Sequence, residues 1–563
     1  MSATIDDEVR ELADRLDAKA TRERINQATA LVRLAGDVAL WHDSEGTGWA
    51  TVDVHTHHEH HRLNSKRFRQ WLARRYYEDA GRSANSQAVQ EAIGTLEGKA
   101  VYDGPEHPTF ARIAALDDAL YIDLADADWR AVWVDADGWR IITDPPVRFR
   151  RAKGTLPLPA PTHQGSIGLL RKYIHVIDDA DWRLIVSWLV AAFRDRGPYP
   201  ILALYGEQGS GKSTTARLLS NLVDPRIAAL RAEPKDVRDV AIAATNGWLV
   251  SYDNLSHFPI WFSDVLCRLS TGGGFATRAL YENDEEALFD MQRPAIFTAI
   301  EEIASRSDLL SRALVVTLPP IPPAQRRAET KLLADFERDR PAILGALLDA
   351  ASRALRDVDS VRFDELPRMA DFAEWAVAVA PALGWTATDF LDAYAGNRDA
   401  AHDAALDAVL WLPALRVLIE SRSWNGTATA LLDSLSQQAG ETISRQREWP
   451  KNGRTLAGQL KRIAPALRAT GIDVDFARTG KRGTRTINIE DVGDSASAAS
   501  AASATSGSRL TQTAPADANG AAHDVLRQPV PSGADATDAA DAESRAYSNG
   551  RVHATEPVEV GEL

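Results

Sequence analysis

The sequence predicts a multidomain α/β protein built round a phosphate-binding core, and three observations carry that expectation. The run "LYGEQGSGKSTTARLL", Leu204 to Leu219, meets every position of the P-loop pattern, with Gly206, Gly211, Lys212 and Ser213 at the required spacing. It sits between "PILALY", an apolar run fit for a buried strand, and "KSTTARLLSNL", which has helical spacing. The chain is 563 residues long, too many for one core, so three or four folding units are expected.

The loop chemistry follows from residue type. Gly206, Gly209 and Gly211 let the backbone turn and approach an anion with no Cβ in the way, so that successive N–H groups point at phosphate. Glu207, Gln208, Ser210 and Thr214 complete the cradle. Lys212 places a point charge between the β- and γ-phosphates, and Ser213 offers a hydroxyl to Mg²⁺. A helix N-terminus behind the loop adds partial positive charge.

A nucleotide core must also hold the metal, sense the γ-phosphate and neutralise transition-state charge. "GWLVSYDN", Gly247 to Asn254, is an apolar strand ending in an acid, which makes Asp253 the magnesium partner alongside Ser213. "RPAIFTAIEE", Arg293 to Glu302, is a further buried strand whose Thr298 is placed to read the γ-phosphate. "DLLSRALVVTLP" puts Arg312 just before another strand, a position suited to an arginine finger. Between these strands, Gly272 to Gly274 break any helix, and "FATRALY" and "EALFD" are expected to pair as a hairpin around "ENDEE". Arg278 is then the phosphate contact for a single strand of DNA, with Phe275 or Tyr281 for stacking; a purely structural hairpin fits the same residues.

Residues 1–160 mix helical segments with strand-like pieces. In "RAVWVDADGWRIIT", Arg130 to Thr143, two apolar runs flank a turn-prone Asp-Ala-Asp-Gly, a hairpin signal. "PLPAPTHQGS" opens a helical linker, 161–199, before the core at 200–323. "LPPIPPAQ" closes that core, and an amphipathic helical stretch, 324–405, is expected to lie over the nucleotide as a lid. Residues 406–490 read as helix (Leu406 to Glu420), helix (Thr427 to Leu435), helix (Thr455 to Thr470) and two strands joined by "TGKRG", the order of a winged helix. Its third helix, with Arg454, Lys461, Arg462 and Arg468, would enter the major groove of duplex DNA, and Lys481 and Arg482 on the wing would meet phosphate. A solvated basic face is the alternative. Beyond Asp491 the chain is Ala, Ser, Asp and Gly with hardly an aromatic, a composition expected to stay disordered.

The net charge of −15 argues against a nucleic-acid partner only if charge is spread evenly. From Ile443 to Glu490, eleven Arg or Lys stand against four Asp or Glu, so a basic surface is available locally. The single cysteine, Cys267, leaves no intramolecular disulfide. The charged, helix-patterned N-terminus is not a secretory signal, and the longest apolar stretch, Leu184 to Phe193, is too short to span a bilayer. A cytoplasmic protein without membrane contact is expected. "HTHHEHH", His55 to His61, lacks any neighbouring cysteine and reads as a histidine-rich turn or strand before a metal site. Asp123, Asp126 and Asp128 read as an acidic turn before a two-metal polymerising centre.

The series from Gly206 to Arg312 resembles the helicase core of superfamily 3 and of poxvirus-type primase-helicases on phages and mobile elements. The stretches "DNLS", "LSTGGGFATRALY" and "DLLSRALVVTLPPI" are similar to phage and actinobacterial ATP-binding proteins of that group. The resemblance implies an AAA+-like fold, a homo-hexameric ring, ATP with Mg²⁺, and translocation on single-stranded DNA. Two positions depart from its pattern. Asn254 stands where a second acid usually follows Asp253, and Thr298 stands in place of the usual sensor asparagine, with Glu301 or Glu302 as compensating groups. Two functions are therefore carried forward: a replicative DNA helicase motor, and a DNA-binding regulatory or defence ATPase that uses nucleotide as an assembly switch.

Overall fold

The computed structural model describes residues 26–54, 56–256, 258–278, 286–289, 291–300, 307–407, 409–420, 423–479 and 484–492. The expected disordered tail therefore lies outside the described residues from 493 onward, while Asp491 itself ends a strand.

The first elements are helix α1 (Gln27–Leu34), strands β1 (Ala39–His42), β2 (Gly48–Val54) and β3 (His57–Arg62), and helices α2 (Lys66–Ala80) and α3 (Ser86–Tyr102). The strands form an antiparallel sheet in the order β1-β2-β3, packed on the helices through Leu31, Phe68, Leu72 and Leu96. Ser65 starts α2 by accepting a hydrogen bond from Phe68 N at 3.2 Å, and left-handed Gly81 ends it. After the short β4 (Thr109–Phe110) comes a four-stranded antiparallel meander of β5 (Ile113–Leu116), β6 (Ala119–Asp123), β7 (Ala131–Asp135) and β8 (Gly138–Ile142). The predicted hairpin forms as β7 and β8, with Asp135 paired to Gly138 across a two-residue turn.

Short strand β9 (Arg148–Phe149) pairs with β4, and helix α4 (Asp179–Ala191) follows. The central sheet holds strands β10 (Ile201–Tyr205), β11 (Val250–Leu255), β14 (Ala295–Ala299) and β15 (Ala313–Thr317), all parallel, in the order β11-β14-β10-β15. Strands buried on both faces are continuous apolar runs, and β10 and β14 are buried at every residue. Side chains alternate between two cores. Leu202, Leu204 and Ile296 face helix α5 (Lys212–Val223), whereas Ala203, Tyr205 and Phe297 face helices α6 (Val237–Asn246) and α7 (Ile260–Thr271). The expected hairpin forms as β12 (Phe275–Arg278) and β13 (Glu286–Phe289), antiparallel with Arg278 opposite Glu286. Tyr281 lies outside the described residues, as do Glu301 and Glu302.

A short helix, α8 (Ser307–Leu310), precedes β15, and helices α9 (Glu329–Asp357), α10 (Ala370–Val379) and α11 (Ala387–Asp407) follow it. The helical block expected as a lid over the nucleotide is packed against elements earlier in the chain. These helices share one continuous core with β7, β8 and α4, through residues such as Val134, Trp188, Leu344 and Phe372. Trp139 Nε1 on β8 donates to Asp349 on α9 at 2.8 Å. The proline-rich stretch before α4 is likewise a packed strap. Thr162 N donates to the Pro341 carbonyl at 3.1 Å, and a Cβ on Gly345 would collide with the Thr162 backbone, so a mid-helix glycine is required there.

The last unit has its own apolar core, from Leu406 to Ile489. It comprises helix α12 (Leu412–Ile419), strand β16 (Trp424–Gly426), helices α13 (Ala428–Ser444) and α14 (Gly453–Ala469), and strands β17 (Ile472–Thr479) and β18 (Thr484–Asp491), with the antiparallel order β16-β18-β17. The expected first helix from Leu406 is corrected. Leu406 belongs to α11, and α12 starts afresh at Leu412 with Pro413 in its first turn, where a missing N–H costs nothing. Strand β16, three residues long, is too short for a sequence pattern to show.

Candidate nucleotide site

Because the core sheet is parallel, its strands deliver their following residues to one edge, and the predicted residues of three strands meet there. The loop after β10 carries Gly206, Gly209 and Gly211 at φ 144°, 87° and 80°, all in the region that favours glycine. A Cβ on Gly206 would overlap the Leu318 carbonyl, and one on Gly211 would stand 3.1 Å from Ile321 Cδ1. The chain after β15 is stapled over the loop, with Leu318 N donating to Tyr205 O at 2.8 Å and Ile321 N to Gly209 O at 3.2 Å.

Helix α5 starts at Lys212 with Gly211 as its N-cap, so no side chain satisfies its first N–H groups. Lys212 is buried, and its Nζ donates to the carbonyls of Gly206 at 2.6 Å and Glu207 at 2.9 Å. Burial pulls its ammonium below the ordinary lysine range, and the charge of Asp253 opposes that shift. Ser210 Oγ is buried with no hydrogen-bond partner among the described residues. Glu207 and Gln208 are exposed on the rim, and Thr214 is half-buried in the first turn of α5.

Ser213 Oγ donates to Asp253 Oδ1 at 2.8 Å, Thr298 Oγ1 donates to the same oxygen at 2.6 Å, and Asn254 N donates to Thr298 Oγ1 at 2.8 Å. Thr298 is fully buried between β10 and β11 on β14, which fixes this chain of bonds. Asn254 is exposed, has φ 53°, and lies where the register of β11 against β14 shifts. Asn is among the few side chains that accept a left-handed backbone readily, which gives its presence a local structural reason.

Arg312 is not part of this set. Its carbonyl accepts from Ile201 N at the start of β10, so it lies at the opposite end of the sheet, about 16 Å away for a five-residue strand. Its Nη1 donates to Asp308 O at 2.9 Å, and it borders buried Cys267, whose thiol burial pushes up to about 11. Arg326 is the cation that sequence reasoning missed. Its Nη2 lies 3.7 Å from where a Cβ would stand on Gly209, and its Nε donates to Ile321 O at 3.2 Å. The signal was the run of prolines before it, which turns the chain back over the loop.

In the last unit, Arg454, Lys461 and Arg462 are exposed on α14. Arg468, by contrast, donates to Asp473 Oδ1 at 3.1 Å and Val474 O at 2.6 Å, so it ties α14 to β17. Lys461 Nζ stands 5.1 Å over the Phe476 ring. Lys481 and Arg482 lie outside the described residues, but Arg478 and Arg485, both exposed, are directly opposite each other across β17 and β18. Like charges so placed destabilise a sheet unless an anion lies over them.

The other candidates have structural partners. Asp123 is buried and receives Arg151 in two hydrogen bonds of 3.0 and 2.7 Å, and Asp126 receives Arg130 at 2.7 Å. His58 bridges Asp53 and Asp144 at 2.8 Å each, and His61 contacts Glu59 at 2.6 Å. Among the described residues no cluster of three or more His, Cys, Asp or Glu is placed to hold a metal, and no helix is long and apolar enough to cross a membrane.

Residues 168–404 match a family model described as actinomycete integrative conjugative element replication protein. Residues 412–506 match a second, described as the C-terminal domain of that RepA protein. No curated protein matches by sequence. Among solved structures, the chain is similar to one described as SCCmec type IV Cch, active helicase, at 13% identity and TM-score 0.44, covering 81% of this chain and 93% of that one. It is also similar to the apo C-terminal region of NrS-1, at 12% identity and TM-score 0.37, covering 82% of this chain and 98% of that one.

Proposed function

We propose that this chain, which carries both domains of a mobile-element replication protein, is an ATP-hydrolysing motor that moves on single-stranded DNA. The observation that carries the reading is the meeting of Ser213, Thr298 and Asp253 beside the glycine-lined loop and the unpartnered Ser210 hydroxyl. These residues fit a magnesium-bound nucleoside triphosphate: the loop N–H groups and Ser210 suit phosphate oxygens, and a hydroxyl next to a carboxylate suits a divalent cation. When bound, the nucleotide supplies the phosphoanhydride to be cleaved and the metal supplies charge.

In this reading Lys212 leaves its two carbonyl partners for the β- and γ-phosphates. Ser213 and Asp253 would hold Mg²⁺. Thr298 orients Asp253 and would read the γ-phosphate. Asn254, Glu301 or Glu302 would position the attacking water. A core of superfamily 3 type, assembled as a homo-hexamer, gives Arg312 its role: at the far end of its own sheet it is out of reach of its own P-loop, which suits a finger acting on the neighbour's nucleotide. The β12–β13 hairpin would present Arg278 to the strand in the channel. The last unit, read as a winged helix, would place α14 on duplex DNA with Arg454, Lys461 and Arg462 toward phosphate.

Asn254 favours the second reading, a regulatory or defence ATPase that binds DNA without unwinding it, because a single acid polarises water less. Steady-state hydrolysis of ATP with and without single-stranded DNA tests the motor. The purified chain should hydrolyse ATP, accelerate on addition of DNA and displace a strand from a forked duplex, and Lys212→Ala should lose several orders of magnitude of turnover while its melting temperature holds. Hydrolysis that ignores DNA and displaces no strand would leave the switch. Equal turnover in the Lys212→Ala protein would remove both.

A further inference from the structure

A cleft of about 1030 Å³ lies outside both matched segments on its main walls, between the β2–β3 strands, α2, the 125–129 loop and the 150–155 segment, with Thr245 and Asn246 also lining it. We propose that this cleft binds the phosphates of a single strand of nucleic acid, making the N-terminal region a polynucleotide site in its own right.

The cations in it outnumber the carboxylates. Arg62, Lys66, Arg67, Arg150 and Lys153 line the cleft, and none forms a salt bridge with a carboxylate among the described residues. The two carboxylates on its walls are already engaged, Glu59 by His61 at 2.6 Å and Asp126 by Arg130 at 2.7 Å. Arg150 donates through Nη2 to Thr245 O at 2.6 Å, while its buried Nε has no partner among the described residues. Burial, and then the nearby charge of Arg62, pull its guanidinium below the ordinary arginine range, against the opposing charges of Glu45 and Asp43.

The guanidinium planes are also held in place. Arg62 stands 5.3 Å over Trp49, and Arg151 stands 3.9 Å over Trp129. Ala125 and Trp129, both at φ 53°, are non-glycine residues kept left-handed in the loop that forms one wall. Trp71 on the cleft wall is half-buried, stacked on Phe68 at 5.4 Å with Arg75 5.0 Å over its ring, so a third guanidinium is fixed beside the cleft. A positively charged groove that tracks the backbone is how single strands are bound without sequence preference. Five cations spread over this volume exceed what one phosphate can meet, which suits the successive phosphates of one strand.

The test uses the full chain with Lys66, Arg67 and Lys153, which are exposed and outside the nucleotide site, changed together to Ala. Binding of a fluorescent oligothymidylate of about 16 nucleotides is followed by anisotropy across a salt series. The triple variant should bind at least ten-fold more weakly, and its log–log salt slope should be shallower by about 2, from about 0.7 for each phosphate that is no longer neutralised. An unaltered melting temperature and unaltered binding of labelled ATP separate this weakening from misfolding and from any failure at the P-loop. Oligouridylate should lose affinity in parallel, because phosphates are read. Affinity and slope within two-fold of the parent overturn the proposal, as does displacement of the oligonucleotide by millimolar thymidine monophosphate. A duplex that loses as much affinity as the strand overturns the single-strand assignment.

Discussion

Arg326 and Asn254 show at the scale of one residue how position outweighs type. Asn254 departs from the expected acid, yet its backbone is left-handed at a register shift and its N–H holds Thr298 in place, so part of its role is structural. Arg326 carries no motif, and the turn of chain after β15 brings its guanidinium to the tip of the glycine loop. A cation there is placed to bond a terminal phosphate from within the same subunit. Arg326→Ala should raise the KM for ATP about 10- to 100-fold, the range of one charge-assisted hydrogen bond. The melting temperature should stay the same, because the bond from its guanidinium to Ile321 O is exposed to solvent. Initial-rate kinetics over an ATP series check this, and a KM within two-fold of the parent would make Arg326 a surface residue.

At the scale of the element, the β17–β18 hairpin sets stability against binding. Arg478 and Arg485 face each other directly, which costs the strand pair some fraction of a kcal/mol. Replacing both by Thr, a good strand former, should leave the melting temperature unchanged or raised, yet weaken duplex DNA binding by the full chain and lower its salt slope by about 1.8. Opposite signs in the two measurements identify the pair as a phosphate contact. A fall in both would mean that the arginines hold the hairpin together. Arg468 on the neighbouring helix is the contrast, since its bonds to Asp473 and Val474 make it a structural link.

For the whole molecule the question is whether subunits complete one another. Arg312 is anchored to Asp308 at the end of the sheet away from the glycine loop of its own chain, so in the proposed reading a finger role requires a neighbouring subunit. Arg312→Ala should spare nucleotide binding and reduce hydrolysis about a thousandfold or more. Mixing Arg312→Ala with Lys212→Ala subunits should restore part of the rate, because some interfaces pair a sound cradle with a sound finger. Subunit exchange is verified first by labelled mixed assemblies. Mixed assemblies that form and stay inactive would exclude independent fingers, and a monomer hydrolysing at full rate without Arg312 would exclude the ring.

The glycine-lined loop was legible because its pattern is contiguous: glycines, lysine and serine follow one another, and the turn they make depends on no distant partner. Asp253 and Thr298 were legible because each ends an apolar run, and parallel strands bring such ends to one edge. The β7–β8 and β12–β13 hairpins were legible from local turn signals. What the sequence did not reveal depends on distant partners. Prolines before α4 have the composition of a linker, and only the approach of Gly345 to the Thr162 backbone turns that stretch into a packed strap. The period of the amphipathic helical block shows that it has an apolar face but not what covers it, and the fold lays that face on β7, β8 and α4. The cations of the N-terminal cleft are scattered from Arg62 to Lys153 in an acidic chain, and only the fold gathers them, around the buried Trp49 and Trp129.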